Sequence, residues 1–419
     1  MDIAVRRPTA VRTSTRDAER LAVGTTAVAV AMLPLLVPRG PANLGPADVL
    51  MAVSIASCFF WAVTTGRRWS FVYGMPMALF IAAGALGALA GPVPNAGIVA
   101  ILQDVFLLAW CWSVANIARS SERVRVLVST WAYSAIAWAT LLFVGLAIGS
   151  NFLTGHSSRE GSRTALTFVD PNVSANYYFI SIMVIWASGR PRSRGFRLLA
   201  YGLLIAALIT TGSNSGIVSL IVGLTVATVV GIYRRAGAMP AVAALMFILV
   251  SGYLVASNVS ISSIQNRAHS SHYAFIRDGI GRGETSVSQR GDLLHESFRL
   301  YTTGSVLGEG PVSTKPRLER EQAPFVKEAH DDYFSALIER GALGFVALLM
   351  LITTVVFRGW AAARSRPGFE GTGAILHPNA LLGALVGTLV AATVYELLHV
   401  RHVWALFGLV AALTLWRRE

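Results

Sequence analysis

Residues 215–233 read SGIVSLIVGLTVATVVGIY, nineteen positions without one charged side chain, and Arg234 and Arg235 follow at once. A helix rising 1.5 Å per residue needs about 20 such residues to cross the ~30 Å hydrocarbon layer of a bilayer. Nothing in lipid can satisfy a bare amide, so a run of this kind must be helical. Comparable runs recur at 21–37, 47–65, 73–90, 97–117, 124–149, 171–188, 196–211, 240–256, 333–357, 374–395 and 400–416. The sequence therefore predicts an all-α, polytopic membrane protein with about twelve transmembrane helices.

Composition agrees. The 419 residues are 54% hydrophobic and 14% charged, whereas a soluble domain carries about 25% charged residues. Most soluble folds, a disordered chain and a coiled coil are excluded by that balance. The net charge of +13 would suggest nucleic acid in a polar chain, but the placement of the arginines rules this out. Threading the runs from a cytoplasmic N-terminus puts Arg6, Arg7, Arg12, Arg16 and Arg20 on one side with Arg67, Arg68, Arg119, Arg123 and Arg125. Arg190, Arg192, Arg194, Arg197, Arg234, Arg235, Arg358, Arg364, Arg366, Arg417 and Arg418 join them. The alternate short loops hold almost none, so both termini are expected in the cytoplasm.

The organisation expected is a basic tail (1–20), nine helices (21–256) with an extracytoplasmic loop at 150–170, a long extracytoplasmic loop (257–332) and three last helices (333–419). Pro34, Pro38 and the spans that follow argue that the first run is retained rather than cleaved as a signal peptide. Cys58 and Cys111 fall inside predicted spans and read as small core residues.

Once topology is subtracted, a few polar residues stand out. In SQRGDLLHESFRLYTTGSVLGEGP (288–311), Leu293, Leu294, Phe298 and Leu300 or Tyr301 recur at helical spacing. Arg290 stands at the start of that amphipathic helix, and Gly304, Gly308 and Gly310 close it in a turn. A helix dipole favours an acid at that place, so the forked guanidinium suits a phosphate or pyrophosphate; pairing with Glu296 or Asp292 is the alternative. His330, in EAHDDYF (328–334), suits a general base on a hydroxyl or a donor to a phosphate oxygen. It could equally be a surface residue beside a helix cap formed by Asp331 or Asp332. Glu396, His399, Arg401 and His402 lie between the last two runs and read as a Glu396–Arg401 ion pair or as a basic rim for an anionic ligand. Asp104, beside Gln103, reads as half of a buried hydrogen-bonded pair. The outer loops show no clustered carboxylate or His/Cys spacing of a metal site.

Four segments together resemble the O-antigen ligase and O-antigen polymerase family of polytopic membrane glycosyltransferases. TFVDPNVSANYY (167–178) is similar to the family's small-residue stretch around a Pro-Asn pair, and TTGSNSGIVSL (210–220) to its Thr-Gly-Ser-Arg turn. The Arg290 segment is similar to its Arg-helix-Gly-x-Gly element, and AHDDYFSALIERGALGF (329–345) to its His-Asn-x-Tyr, Glu-x-Gly-x-x-Gly signature. The resemblance implies a glycosyltransferase of the bacterial cytoplasmic membrane with its active site on the extracytoplasmic face. It implies a glycan donor on a polyprenyl pyrophosphate, a glycan or glycolipid acceptor, surrounding membrane lipids, and no cofactor, metal or nucleic acid. His330 is expected to activate the acceptor hydroxyl in an inverting displacement, with Arg290 and Arg163 on the pyrophosphate. Asn214 stands where the family has Arg, an amide that donates hydrogen bonds without charge, so Arg401 is a further candidate for the pyrophosphate. Asp331 likewise stands where Asn is common. A secondary transporter, or a non-catalytic membrane protein of polysaccharide assembly, is the competing reading.

Overall fold

The computed structural model describes residues 9–40, 44–156, 161–258, 266–267, 269–272, 277, 295–322, 331–364 and 374–415. Among them there is no strand. The order is α1 (Thr9–Ala31), α2 (Pro46–Thr65), α3 (Gly74–Ala90), α4 (Pro94–Ile117), α5 (Ser121–Ile148), α6 (Asn151–Thr154), α7 (Pro171–Ser188), α8 (Arg194–Thr210), α9 (Asn214–Ala236) and α10 (Ala238–Asn258). Then come α11 (Thr314–Arg320), α12 (Asp332–Ala363), α13 (Pro378–Ala391) and α14 (Arg401–Leu415). Each of the apolar runs falls on a helix, and α2, α4, α5, α9 and α12 are long and apolar enough to cross a membrane, with α3, α13 and α14 apolar but shorter.

Local chemistry sets the boundaries. Proline occupies the first turn of α2, α4, α7 and α13, where its missing N–H is not needed. The side chains of Ser120, Asp170, Ser213 and Asp331 accept from the first free N–H groups of α5, α7, α9 and α12, as good N-caps do. Both bounds of α1 and both bounds of α13 differ from the hydropathy reading. α1 starts at Thr9, ahead of the run at 21, and stops at Ala31 because Pro34 cannot continue it. α13 is shorter than the run at 374–395, which begins before His377–Pro378 and ends in turns over 392–394.

α7 and α14 are the buried centre. All of Arg401–Leu415 is buried, and Tyr177, Tyr178, Phe179, Trp110, Trp404 and Phe407 are among the largest enclosed side chains. The outer helices instead expose apolar side chains such as Phe59, Leu89, Met239, Phe247 and Tyr253, the surface that a lipid solvent rather than water would cover. Cys58 and Cys111 are buried and unbridged.

The loops sort into two ends. At one, the basic connections meet: Asn116 Nδ2 donates to the Ser70 carbonyl (3.0 Å), and Leu376 N and His377 N donate to the Ala187 carbonyl (2.7 and 3.0 Å). At the other, the α1–α2, α5–α7, α8–α9 and α13–α14 connections bond one another and the start of α12. Arg39 donates to the Phe168 carbonyl (3.1 Å), Thr164 N to the Thr210 carbonyl (3.1 Å) and Asp332 N to the Ala392 carbonyl (3.0 Å).

α12 breaks at Gly341, with φ 65° and ψ −169°. The break frees carbonyls that the segment 306–311 then satisfies: Glu309 N donates to the Ile338 carbonyl (3.2 Å) and Gly310 N to that of Glu339 (2.8 Å). In return Ala342 N donates to the Val306 carbonyl (3.1 Å). The Gly-x-Gly turn and the Glu-x-Gly-x-x-Gly segment read separately in the sequence are thus one interlocked unit.

Candidate functional site

The site is built where the second set of loops converges. Residues 161–168 turn back onto the bundle and bury Arg163, which is 7% exposed. Arg163 Nε donates to the Thr211 carbonyl (2.8 Å), and a terminal nitrogen donates to Asn172 Oδ1 (3.3 Å). The same Asn172 oxygen accepts from the Ser213 hydroxyl (2.8 Å), which shares a hydrogen bond with Ser215 (3.0 Å). Asn172 therefore joins the Pro-Asn segment to the turn that carries Asn214. Thr164 and Thr210 reinforce the seam through their hydroxyls (2.8 Å). Asn214 itself is exposed as the first residue of α9. The turn thus lacks the arginine at 214 but has the Arg163 guanidinium packed against it.

Asp170 works in two directions. Its Oδ1 caps α7 by accepting from Asn172 N (2.7 Å) and Val173 N (3.3 Å), while Oδ2 accepts from the Tyr395 hydroxyl. The start of α12 is anchored to the same connection. Asp331 caps the helix, accepting from Tyr333 N (2.7 Å) and Phe334 N (3.2 Å). Of the two cap candidates next to His330, the cap is Asp331. Burial pushes its carboxyl above the ordinary range, against the two backbone donors. Asp332 is buried and accepts from Leu397 N (2.7 Å) and Leu398 N (3.1 Å).

Several expectations change in three dimensions. Arg401 and His402 are not an exposed rim: both are buried. Arg401 forms a two-pronged pair with Asp48 (both 2.9 Å), an acid at the start of α2 that the sequence reading passed over. His402 Nε2 meets Asn176 Oδ1 (2.9 Å), and its ring packs edge-on against Phe168 and Tyr177. Only His399 of that group is exposed. Asp104 does form a pair, and its partner is Arg340 (2.6 Å), whose guanidinium also lies 4.0 Å from the Phe80 ring centroid. Along residues 295–303, Leu300 is buried against Leu318 and Ile338, whereas Phe298 is exposed. Glu296, an alternative partner for Arg290, pairs with Arg299 (2.9 Å). Arg290 and His330 lie outside the described residues.

The pairs missed by sequence reading have one weak signal in common. A charged residue in an apolar run has to be neutralised by another, and Asp48, Asp104, Arg340 and Arg401 are all of that kind, but nothing linear says which meets which.

Residues 199–349 match a family model described as O-antigen ligase, which supports the O-antigen ligase/polymerase family named on the motifs. The match covers the turn at 210–214, the segment with Arg290 and His330, and the break at Gly341. No curated protein matches the chain.

Proposed function

We propose that this integral membrane protein of the O-antigen ligase/polymerase family transfers a glycan from a polyprenyl-pyrophosphate carrier to an acceptor hydroxyl on the extracytoplasmic side. On this reading the chain crosses the bilayer about twelve times with both termini in the cytoplasm, and the loop end holding Arg163 and Asp331 faces outward. The observation that carries it is the seam Arg163–Asn172–Ser213, which ties two family-like segments to one another and sets a guanidinium on the turn at Asn214.

Arg290 and Arg163 would neutralise the pyrophosphate as it leaves, with Asn214 adding an uncharged donor. His330 would take the proton of the acceptor hydroxyl as that oxygen attacks the anomeric carbon. The carbon–oxygen bond to pyrophosphate breaks in the same displacement, so the configuration inverts. Stabilising the leaving charge is the dominant contribution in such a step, and one lost contact costs about 2.7–4 kcal/mol. Arg401, committed to Asp48, is better understood as holding α14 to α2.

The test is transfer in proteoliposomes from the cells' own lipid-linked oligosaccharide, with chelator present to exclude a metal requirement. His330→Ala and Arg290→Ala should each lose about 100-fold or more while the protein still purifies as a folded species. Full activity of both variants would refute these roles. A ladder of lipid-linked repeats would define a polymerase, a single transfer to a distinct acceptor a ligase.

A further inference from the structure

Away from the Arg163 seam, the segment 305–321 and the α3–α4 turn line two adjoining open grooves of about 620 and 400 Å3. Pro92 and Arg320 line both, so the two form one trough with Arg320 at its middle. Its combined size suits a ligand of a few rings.

The charged walls differ in how they are held. Arg317 is tied to Glu309, to Glu321 (2.8 Å), to the Thr303 hydroxyl (2.8 Å) and to the Leu300 carbonyl (3.2 Å). Arg299 holds Glu321 from the other side. These side chains are pre-set, so their remaining acceptor positions are offered without further ordering. Arg320 is exposed, its Nε donates to the Pro316 carbonyl (3.3 Å), and no carboxylate among the described residues pairs with it. A planar fork of donors beside fixed carboxylates matches neighbouring hydroxyls on a sugar ring, which both give and accept hydrogen bonds.

Two other ligand classes fit worse. Three carboxylates, Glu309, Glu319 and Glu321, line the trough against two guanidiniums, which disfavours an anion. A lipid tail would have to strip water from all five charges. We propose that the trough binds the uncharged sugar residues of the glycan distal to the reacting sugar, with Arg320 as the central contact. This rests on the glycan-transfer reading above and adds a length-reading subsite to it.

The experiment compares two donors in proteoliposomes: the cells' own lipid-linked repeat, and the same lipid trimmed to its reducing-terminal sugar. The native protein should use the full repeat with a kcat/KM about tenfold higher, one charged hydrogen-bonding contact's worth. Arg320→Ala should remove that preference through KM and leave the trimmed donor unchanged, which also serves as the control for folding. Equal use of both donors by the native protein, or an equal loss on both in Arg320→Ala, would overturn the subsite while leaving glycan transfer intact. Turnover of neither donor by the native protein would overturn the transfer reading and the subsite with it.

Discussion

Arg340 and Asp104, 236 positions apart, form a largely buried ion pair at 2.6 Å between α12 and α4. Arg340 immediately precedes the break at Gly341 and also donates to the Phe80 carbonyl (3.3 Å) of α3. One guanidinium thereby joins three helices just below the turn that the 306–311 segment fills. A buried charge stripped of its partner is costly, whereas an apolar replacement of both is often neutral.

Asp104→Ala or Arg340→Ala should therefore destabilise the protein by about 3–5 kcal/mol. The double variant Asp104→Leu/Arg340→Met should recover most of that. Thermal unfolding in detergent, followed by tryptophan fluorescence, measures the cycle; additive losses in the double variant would show that the pair is not coupled.

Asn172→Leu removes the acceptor shared by Arg163 and Ser213. Because both lose a buried partner, transfer should fall about 10- to 100-fold with a smaller effect on unfolding. The assay is initial rate in proteoliposomes beside a melting curve of the same preparation. Unchanged rate would detach the seam from catalysis.

Gly341→Ala is expected to be disruptive well beyond an ordinary helix substitution. The backbone there has φ 65° and ψ −169°, a region essentially reserved for glycine, and an added Cβ would collide with the Val306 carbonyl and the Leu307 backbone. Strain of about 1–3 kcal/mol plus the displaced 306–311 turn should lower the melting temperature. Gly195→Ala in α8, where an added Cβ meets nothing within 4 Å, is the matched control.

Asp331→Ala deletes the cap of α12 and should cost about 1 kcal/mol, while Asp331→Asn keeps an equivalent acceptor and should cost little. Melting curves of the two variants side by side decide this. Equal losses would mean that the charge, not the cap, matters at this position.

Acid should loosen the segment 295–321. Hydrogen bonds from Arg317 and Arg299 hold the Glu321 carboxyl below its ordinary value of 4.5. A depressed carboxyl contributes its stability above the unfolded value and loses it as pH falls through the lower folded one. Hydrogen exchange, corrected for intrinsic rate, should rise over this segment between pH 7 and about pH 3. In Glu321→Gln that pH dependence should be reduced.

The linear sequence shows the membrane helices because the constraint that creates them is linear. Crossing hydrocarbon demands an unbroken run of apolar residues, and 215–233 is legible without knowing its neighbours. Caps are local too, which is why Asp331 was a candidate cap from position alone. The Gly-x-Gly turn and the Glu339–Gly344 segment were each visible, but not that the first satisfies the backbone of the second. Leu300 and Phe298 share a helical pattern in the sequence, and only packing against Leu318 and Ile338 shows that one is inside and the other outside.

Charge pairing lies beyond that limit. The sequence reads Arg401 as the partner of Glu396 or as part of a basic rim, and in the structure it meets Asp48 across 353 positions; it reads Asp104 as half of a buried pair, and the other half, Arg340, is 236 positions away. Sequence by itself determined an all-helical membrane chain and the family its motifs resemble, since each follows from residue type and spacing along the chain. Tertiary structure alone decided which buried charges neutralise each other and that Arg163 stands at the turn of Asn214. The energy of a buried charge depends on distance through space, which chain order does not record.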